Sequence, residues 1–372
     1  MGERLEIPPP REILIVMLSA LGDAVHVLPV VNALKRHWPQ SRITWIIQPV
    51  PHQLVQGHEH VDEFVLFRRR RGAQAWRSFR DLAGELDGRR FDLLINLQVY
   101  LKAGLITSIA RADVKLGFDR RRARDMNWLF TTHRIPPRPT GHVQDQYLEF
   151  VEHLGIEAEP IEWRLRISAQ ERAEQRAFFD AVDRPACGVV VGTSKAEKNW
   201  ATDRYARLIE ALETDFGYRC ILLGGPSAVE RTAAASILAG TRAHPVDALA
   251  DDVRRLLWLL DGCALVISPD TGPLHIARAL DTPVVGLYGY TNPRRYGPYR
   301  RPASIVDGYA RFVGEEYPLN MKYRPDGMER VTVKAVLAAV ERVRSAATGV
   351  SSTELAQHDE GNEADPLDRR RG

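Results

Sequence analysis

Only three of the 372 residues are cysteine, Cys187, Cys220 and Cys263, each set singly beside an apolar run. Small buried thiols in a reduced compartment are expected from that pattern, not a disulfide framework. Neither a cysteine pair nor a histidine pair stands at ligand spacing on the candidate loops, so no metal site is expected. No apolar run approaches the roughly 18 residues that would suggest a membrane span. The amino terminus lacks the order of basic, apolar and small-residue regions of a secretory signal, which predicts a cytoplasmic protein. A Gly-x-Gly-x-x-Gly turn is missing after the first strand of either half, and this argues against a nicotinamide oxidoreductase. A large charge excess is lacking too: 51 basic side chains face 48 acidic ones, and no nucleic-acid partner is read from that balance.

What is present is enough chain for two cores, with 44% apolar residues to fill them. Charge is unevenly placed: residues 1–150 hold 22 basic and 16 acidic side chains, a balance of +6, which leaves −3 for the remainder. A basic first half suits an anionic partner or membrane surface, and scattered solvated arginines would give the same count. Apolar runs alternate with helical patterns. Strands are predicted at 11–18, 42–48, 61–67, 91–99 and 114–118, and again at 187–191, 219–223, 264–267 and 283–287. Helices are predicted between them, with Pro49 and Pro51 as punctuation and Pro29 either in the first turn of its helix or kinking it. This is the pattern of doubly wound parallel sheets. The polar stretch after Ala346 is expected to be disordered.

Three loops carry candidate chemistry. Ser19 to Asp23, with His26 behind, follows the first strand; a carboxylate there faces the crevice at the strand ends, and it equally suits a helix cap. Gly192 to Trp200 offers Thr193, Ser194, Lys195 and Lys198 after another strand, chemistry that suits a diphosphate. Ser268-Pro269-Asp270-Thr271-Gly272 stands between a strand and a helix opening with Pro273. Its glycine admits close backbone approach and the helix start offers N–H groups to an anion. The plainer alternative is that Asp270 and Thr271 cap the helix and His275 is core.

Asp270 to Ala277, Pro283 to Gly289 and Thr291-Asn292-Pro293 together resemble the signature of the lipopolysaccharide heptosyltransferases, glycosyltransferase family 9. The resemblance implies a GT-B architecture, two Rossmann-like domains facing across a cleft. Its boundaries would be an acceptor domain over 1–165, a nucleotide-sugar domain over 166–330, a helix over 331–347 packing back on the body and a tail over 348–372. It implies inverting, metal-independent transfer of heptose from ADP-heptose to Kdo-lipid A or a growing inner core, with no cofactor, by an enzyme held peripherally at the inner membrane. Asp23 would be the base. Donor contacts would come from Thr193, Ser194, Lys195, Lys198, Asp270, Thr271, Gly272 and His275, with Glu230 near the ribose. Lys198 matches the phosphate lysine because an aromatic, Trp200, stands two residues on, although Ala201 replaces the usual proline. Acceptor contacts would come from Gly22, His26, Arg68, Arg120 and Arg122, and His142, Asp145 and Tyr147 match a further family pattern. A transferase for another nucleotide sugar, or a non-catalytic bilobal sugar-binding protein, remains open at this point.

Overall fold

The computed structural model describes residues 4–250 and 252–348; of the stretch expected to be disordered after Ala346, Ala347 and Thr348 instead end a helix, and the rest lies outside the described residues. Two six-stranded sheets account for the architecture, and every strand pairing is parallel. The first holds β1 (Glu12–Val16), β2 (Arg42–Ile47), β3 (Glu63–Leu66), β4 (Phe91–Asn96), β5 (Ala112–Gly117) and β6 (His133–Arg134), in the order β3-β2-β1-β4-β5-β6. The second holds β7 (Ala186–Val190), β8 (Arg219–Leu223), β9 (Val246–Asp247), β10 (Leu265–Pro269), β11 (Val284–Tyr288) and β12 (Ile305–Asp307), in the order β12-β11-β10-β7-β8-β9. Written from the other edge, the second order repeats the first. Each is the doubly wound order of a Rossmann sheet, and the pair forms the GT-B arrangement.

Central strands covered on both faces read as unbroken apolar runs. In β1 the residues Ile13 to Val16 have no solvent exposure, with Ile13 in register with Ile43 on one side and Leu93 on the other. The edge strands β6, β9 and β12 are two or three residues long and carry no such signal. Pro49 and Pro51 open a short helix, Pro49–Val55, in place of the expected break. A proline at the first helical position forfeits no bond, since that N–H has no partner within the helix.

The helix Leu21–His37 is buried at every position from Ala24 to Leu34. It is sandwiched between the helix Val143–His153 of its own lobe and the helix Gly272–Ala279 of the other, so no face is left for water. Pro29 lies in its interior, not its first turn. The final helix, Val333–Thr348, sinks Val336, Ala339 and Val340 into the second lobe's core against the helix Thr202–Thr214 and β11. All three cysteines are buried free thiols of that lobe, with Cys187 and Cys220 register partners on β7 and β8. Burial pushes the Cys187 thiol far up, and that of Cys263 to about 12.

Trp45 fills the centre of the first lobe with no exposure, and its indole N–H donates to Met17 O at 2.9 Å, bracing the turn that leads to Asp23. Trp45→Ala is expected to cost about 3–5 kcal/mol of stability, read as a lowered midpoint in urea unfolding.

Candidate active site

In an open parallel sheet, ligands bind where helices leave adjacent strands in opposite senses, outside the carboxyl ends. In the first sheet that point lies between β1 and β4, in the second between β7 and β10. The loops after β1, β7 and β10 meet around one cleft of about 390 Å³. Asp23 and His26 line it from the first lobe. Ser194, Lys198, Asp270 and Thr271 line it from the second.

On the first wall, the helix begins at Leu21, so Gly22 and Asp23 belong to its first turn and not to a preceding loop. Asp23 does serve the helix start, though from the third helical position: its Oδ2 accepts the Ala20 N–H at 2.8 Å. Its Oδ1 accepts a long bond, 3.4 Å, from the Tyr147 hydroxyl. Although a helix start favours an ionised carboxylate, burial outweighs the Ala20 bond and the nearby His275, and the Asp23 carboxyl is raised above its ordinary range. Behind it, Gln144 Nε2 donates to His26 O at 2.9 Å, so Gln144 Oε1 must accept from His26 Nδ1, also at 2.9 Å. Burial first, and then His275, lower the pKa of His26 far below the usual imidazole range, so the ring is neutral with Nε2 unprotonated.

On the facing wall, Asp270 is the hub. Its Oδ2 accepts from Lys198 Nζ and from Thr291 Oγ1, both at 2.6 Å, and its Oδ1 stands 3.7 Å from His275 Nε2. Burial opposes the charge, but His275 and Lys198 together hold the Asp270 carboxyl far below the usual carboxylate range. Lys198 also donates to Asp270 O at 3.1 Å. An ammonium has three N–H donors, so one remains for the cleft. Trp200 fixes this loop by donating to Val331 O at 2.8 Å, and Asn199 accepts the Thr193 N–H at 2.8 Å. Ala201, in the family's proline position, has a φ of −67°, which proline would share, so the substitution leaves the path unchanged. Thr271 precedes the helix Gly272–Ala279 without capping it, which leaves its hydroxyl to the cleft.

The structure thus brings Gly22, Asp23, His26, Ser194, Lys195, Lys198, Asp270, Thr271, Gly272 and His275 to one cleft. Other candidates lie elsewhere. The Thr193 hydroxyl turns back to Lys195 O at 2.6 Å and shapes the loop. Glu230 accepts from Gly225 N at 2.7 Å and Ser227 Oγ at 2.6 Å, beside β8 and outside the cleft lining. Arg122 is not free for an acceptor: it pairs with Asp119 and Glu149 and donates to Pro136 O. Arg120 lies over the Trp128 ring, and Arg68 is exposed on the loop after β3. Sequence reasoning missed Tyr296 and Tyr323, which also line the cleft; Tyr323 stacks on Tyr290 at 4.8 Å with the Lys195 ammonium 5.0 Å from its ring. His142 and Asp145 do not line it but join the lobes, through Gly297 O at 2.9 Å and the Tyr299 hydroxyl at 2.7 Å. Among the described residues no group of His, Cys, Asp or Glu is arranged to hold a metal ion.

Residues 79–311 match the profile of glycosyltransferase family 9 (heptosyltransferase). The lipopolysaccharide core heptosyltransferase OpsX of Haemophilus influenzae is 31% identical over 310 residues, 83% of this chain and 87% of that protein. The chain belongs to glycosyltransferase family 9. Lipopolysaccharide heptosyltransferase 1 of Escherichia coli K12 is 27% identical to the transferase over 77% of this chain and 90% of its own. Among solved structures, a family 9 glycosyltransferase from Veillonella parvula superposes with a TM-score of 0.75 at 23% identity, covering 90% of this chain and 97% of that one. The E. coli heptosyltransferase WaaC, solved with ADP-2-deoxy-2-fluoro heptose, gives 0.67 at 22% identity, covering 89% and 99%. These two share the fold.

The two carboxylates of the transferase have opposite linkage to stability. Asp270, depressed in the fold, contributes stability above the unfolded value near 4, lost as pH falls through its folded value. Asp23, raised in the fold, opposes folding once ionised and is relieved as pH falls. Asp270→Ala, which strands Lys198, is expected to cost about 3–5 kcal/mol. Asp23→Asn is expected to leave the thermal midpoint unchanged or higher. Calorimetric melting of both variants at neutral pH checks the pair.

Proposed function

We propose that the transferase moves heptose from ADP-heptose to an inner-core lipopolysaccharide acceptor, with inversion and without a metal ion. The acceptor is received by the lobe of residues 1–165, the donor by residues 166–330. The work is done at the cytoplasmic face of the inner membrane, where the chain is held peripherally. The observation that carries this reading is that Asp23 looks across a single cleft at Lys198, Thr271 and the start of the helix Gly272–Ala279.

The chemistry follows from that placement. The acceptor hydroxyl gives its proton to the Asp23 carboxylate as its oxygen attacks the anomeric carbon. Burial makes this carboxylate a stronger base than an exposed one. The bond from that carbon to the diphosphate oxygen breaks on the opposite side, which inverts the centre. Negative charge gathers on the departing diphosphate, where the third N–H of Lys198, the Thr271 hydroxyl and the positive helix start stabilise it. Asp270 holds Lys198 at 2.6 Å so that its charge is in place before the bond breaks.

The direct experiment is turnover of labelled ADP-heptose with a Kdo-bearing acceptor, in buffer containing EDTA. ADP release at an unchanged rate with the chelator is expected. Binding of a uridine-linked sugar and none of ADP-heptose would overturn the donor assignment, and a rate abolished by EDTA would overturn metal independence. Lys198→Ala is expected to lower kcat/KM about 10²–10³-fold. Asp23→Asn should lower transfer about 10²–10⁴-fold while donor affinity, by titration calorimetry, stays within a few-fold. In the wild type kcat/KM should fall as pH drops through the raised Asp23 value, since only the ionised form accepts the proton; a flat acid limb removes Asp23 as the base.

A further inference from the structure

Loops that follow the strands of a parallel sheet leave from one edge, so the segments after β3, β4 and β5 share the rim on which the cleft opens. After β3, six arginines fall between Arg68 and Arg80, and one acid, Asp81, pairs with Arg70 and Arg80, which leaves the segment strongly cationic. After β4, Gln98 Nε2 donates to Ser19 O at 2.6 Å, which sets this loop beside the turn leading to Asp23. It runs into the helix Leu101–Ile109, where Leu101 and Leu105, one turn apart, are exposed, as is Tyr100 before them. After β5 the chain folds back onto that helix. Arg124 N donates to Val99 O at 2.7 Å, Asn127 Nδ2 to Tyr100 O at 2.6 Å, and Phe130 packs on Gly104, where a Cβ would collide with its ring. Met126 and Leu129, 61% and 55% exposed, therefore belong to the same surface as the two leucines.

Cations surround this apolar patch. Lys102 lies on the same helix, close enough to Arg69 for the two charges to oppose each other. Arg124 and Arg120 border it, and Arg124 reaches across to Met321 Sδ of the other lobe at 4.0 Å. Of the three acids from Asp113 to Asp125, Asp113 is paired with Arg90 and Asp119 with Arg122, which leaves Asp125 alone. A second copy of the chain would set arginine against arginine here. An apolar patch ringed by guanidinium groups complements anionic headgroups with acyl chains below them.

We infer that this rim is the face by which the transferase docks on an anionic phospholipid bilayer. Leu101, Leu105, Met126 and Leu129 enter the boundary between headgroups and acyl chains, while the arginines bind lipid phosphates. The inference rests on the proposed lipid-linked acceptor: docked this way, the cleft mouth stands at headgroup level, and a saccharide enters while its lipid stays in the bilayer.

The test is sedimentation of the full chain with vesicles rich in phosphatidylglycerol and with vesicles of phosphatidylcholine alone, for the wild type and for Leu105→Asp combined with Leu129→Asp. Both positions are exposed and lie outside the cleft, so donor binding and transfer to a deacylated, water-soluble acceptor serve as controls. The wild type is expected to sediment with the anionic vesicles, less so at high salt, and the double variant to bind them at least about tenfold more weakly with both controls unchanged. A double variant that sediments like the wild type overturns the docking face, as does a wild type that ignores anionic vesicles or binds both kinds alike. Loss of transfer to the soluble acceptor in the variant overturns it too, by making the patch part of the site. Absence of any ADP-heptose turnover by the wild type strikes the proposed function instead and leaves the vesicle result standing.

Discussion

The two lobes approach each other closely at two glycines. A Cβ at Gly22 would stand 3.0 Å from His275 Cδ2, and one at Gly272 3.1 Å from a Leu21 methyl. Because these helix starts come so close, the rings of His26 and His275 lie 4.7 Å apart and Asp23 comes under the influence of Asp270 on the other lobe. Both helix starts turn their unpaired N–H groups toward the same space. The cleft is therefore lined by two positive helix ends with one carboxylate on each wall, and the environments of those carboxylates differ. Asp270 has Lys198, Thr291 and His275 around it, whereas Asp23 has one backbone N–H and a distant hydroxyl. Similar side chains are thus pushed in opposite directions, one fixed as an anion and one able to take up a proton.

A second constraint keeps the glycine contact in register. The helix Val143–His153 belongs to the first lobe, yet its start is tied to the second: His142 donates to Gly297 O, Tyr299 donates to Asp145, and Arg295 donates to Gly141 O and Gln146. The same helix holds the first wall of the cleft through Gln144 on His26 and Tyr147 on Asp23. Six residues between Gly141 and Tyr147 therefore carry both sets of contacts through one element. Here lies the physical content of the His142, Asp145, Tyr147 pattern: two of its members join the lobes and the third steadies the carboxylate.

Much of this was legible in the chain because the central strands are covered on both faces. An unbroken apolar run followed by small and charged residues marks β1, β7 and β10 along with the segments after them that bring Asp23, Lys198 and Asp270 to the strand ends. Edge strands β6, β9 and β12 bury little and were not legible for that reason. Tyr296 and Tyr323 escaped notice because their place in the cleft depends on how residues 290–327 cross the second lobe, a path set by tertiary contacts such as Arg324 N on Tyr290 O. Arg122 misled in the other direction. A run of arginines reads as solvated charge, and nothing in the run distinguishes the member that folds inward to Asp119 and Glu149.

All three thiols sit in the second lobe, and none sits in the first. Since the thiolate is the reactive species, burial that raises Cys187 and Cys263 leaves them inert while that lobe stays closed. The rate at which an alkylating reagent consumes them is therefore a clock for local opening around β7 and the start of β10, silent about the first lobe. A chain with two lobes of the same strand order carries its own reporter in just one of them.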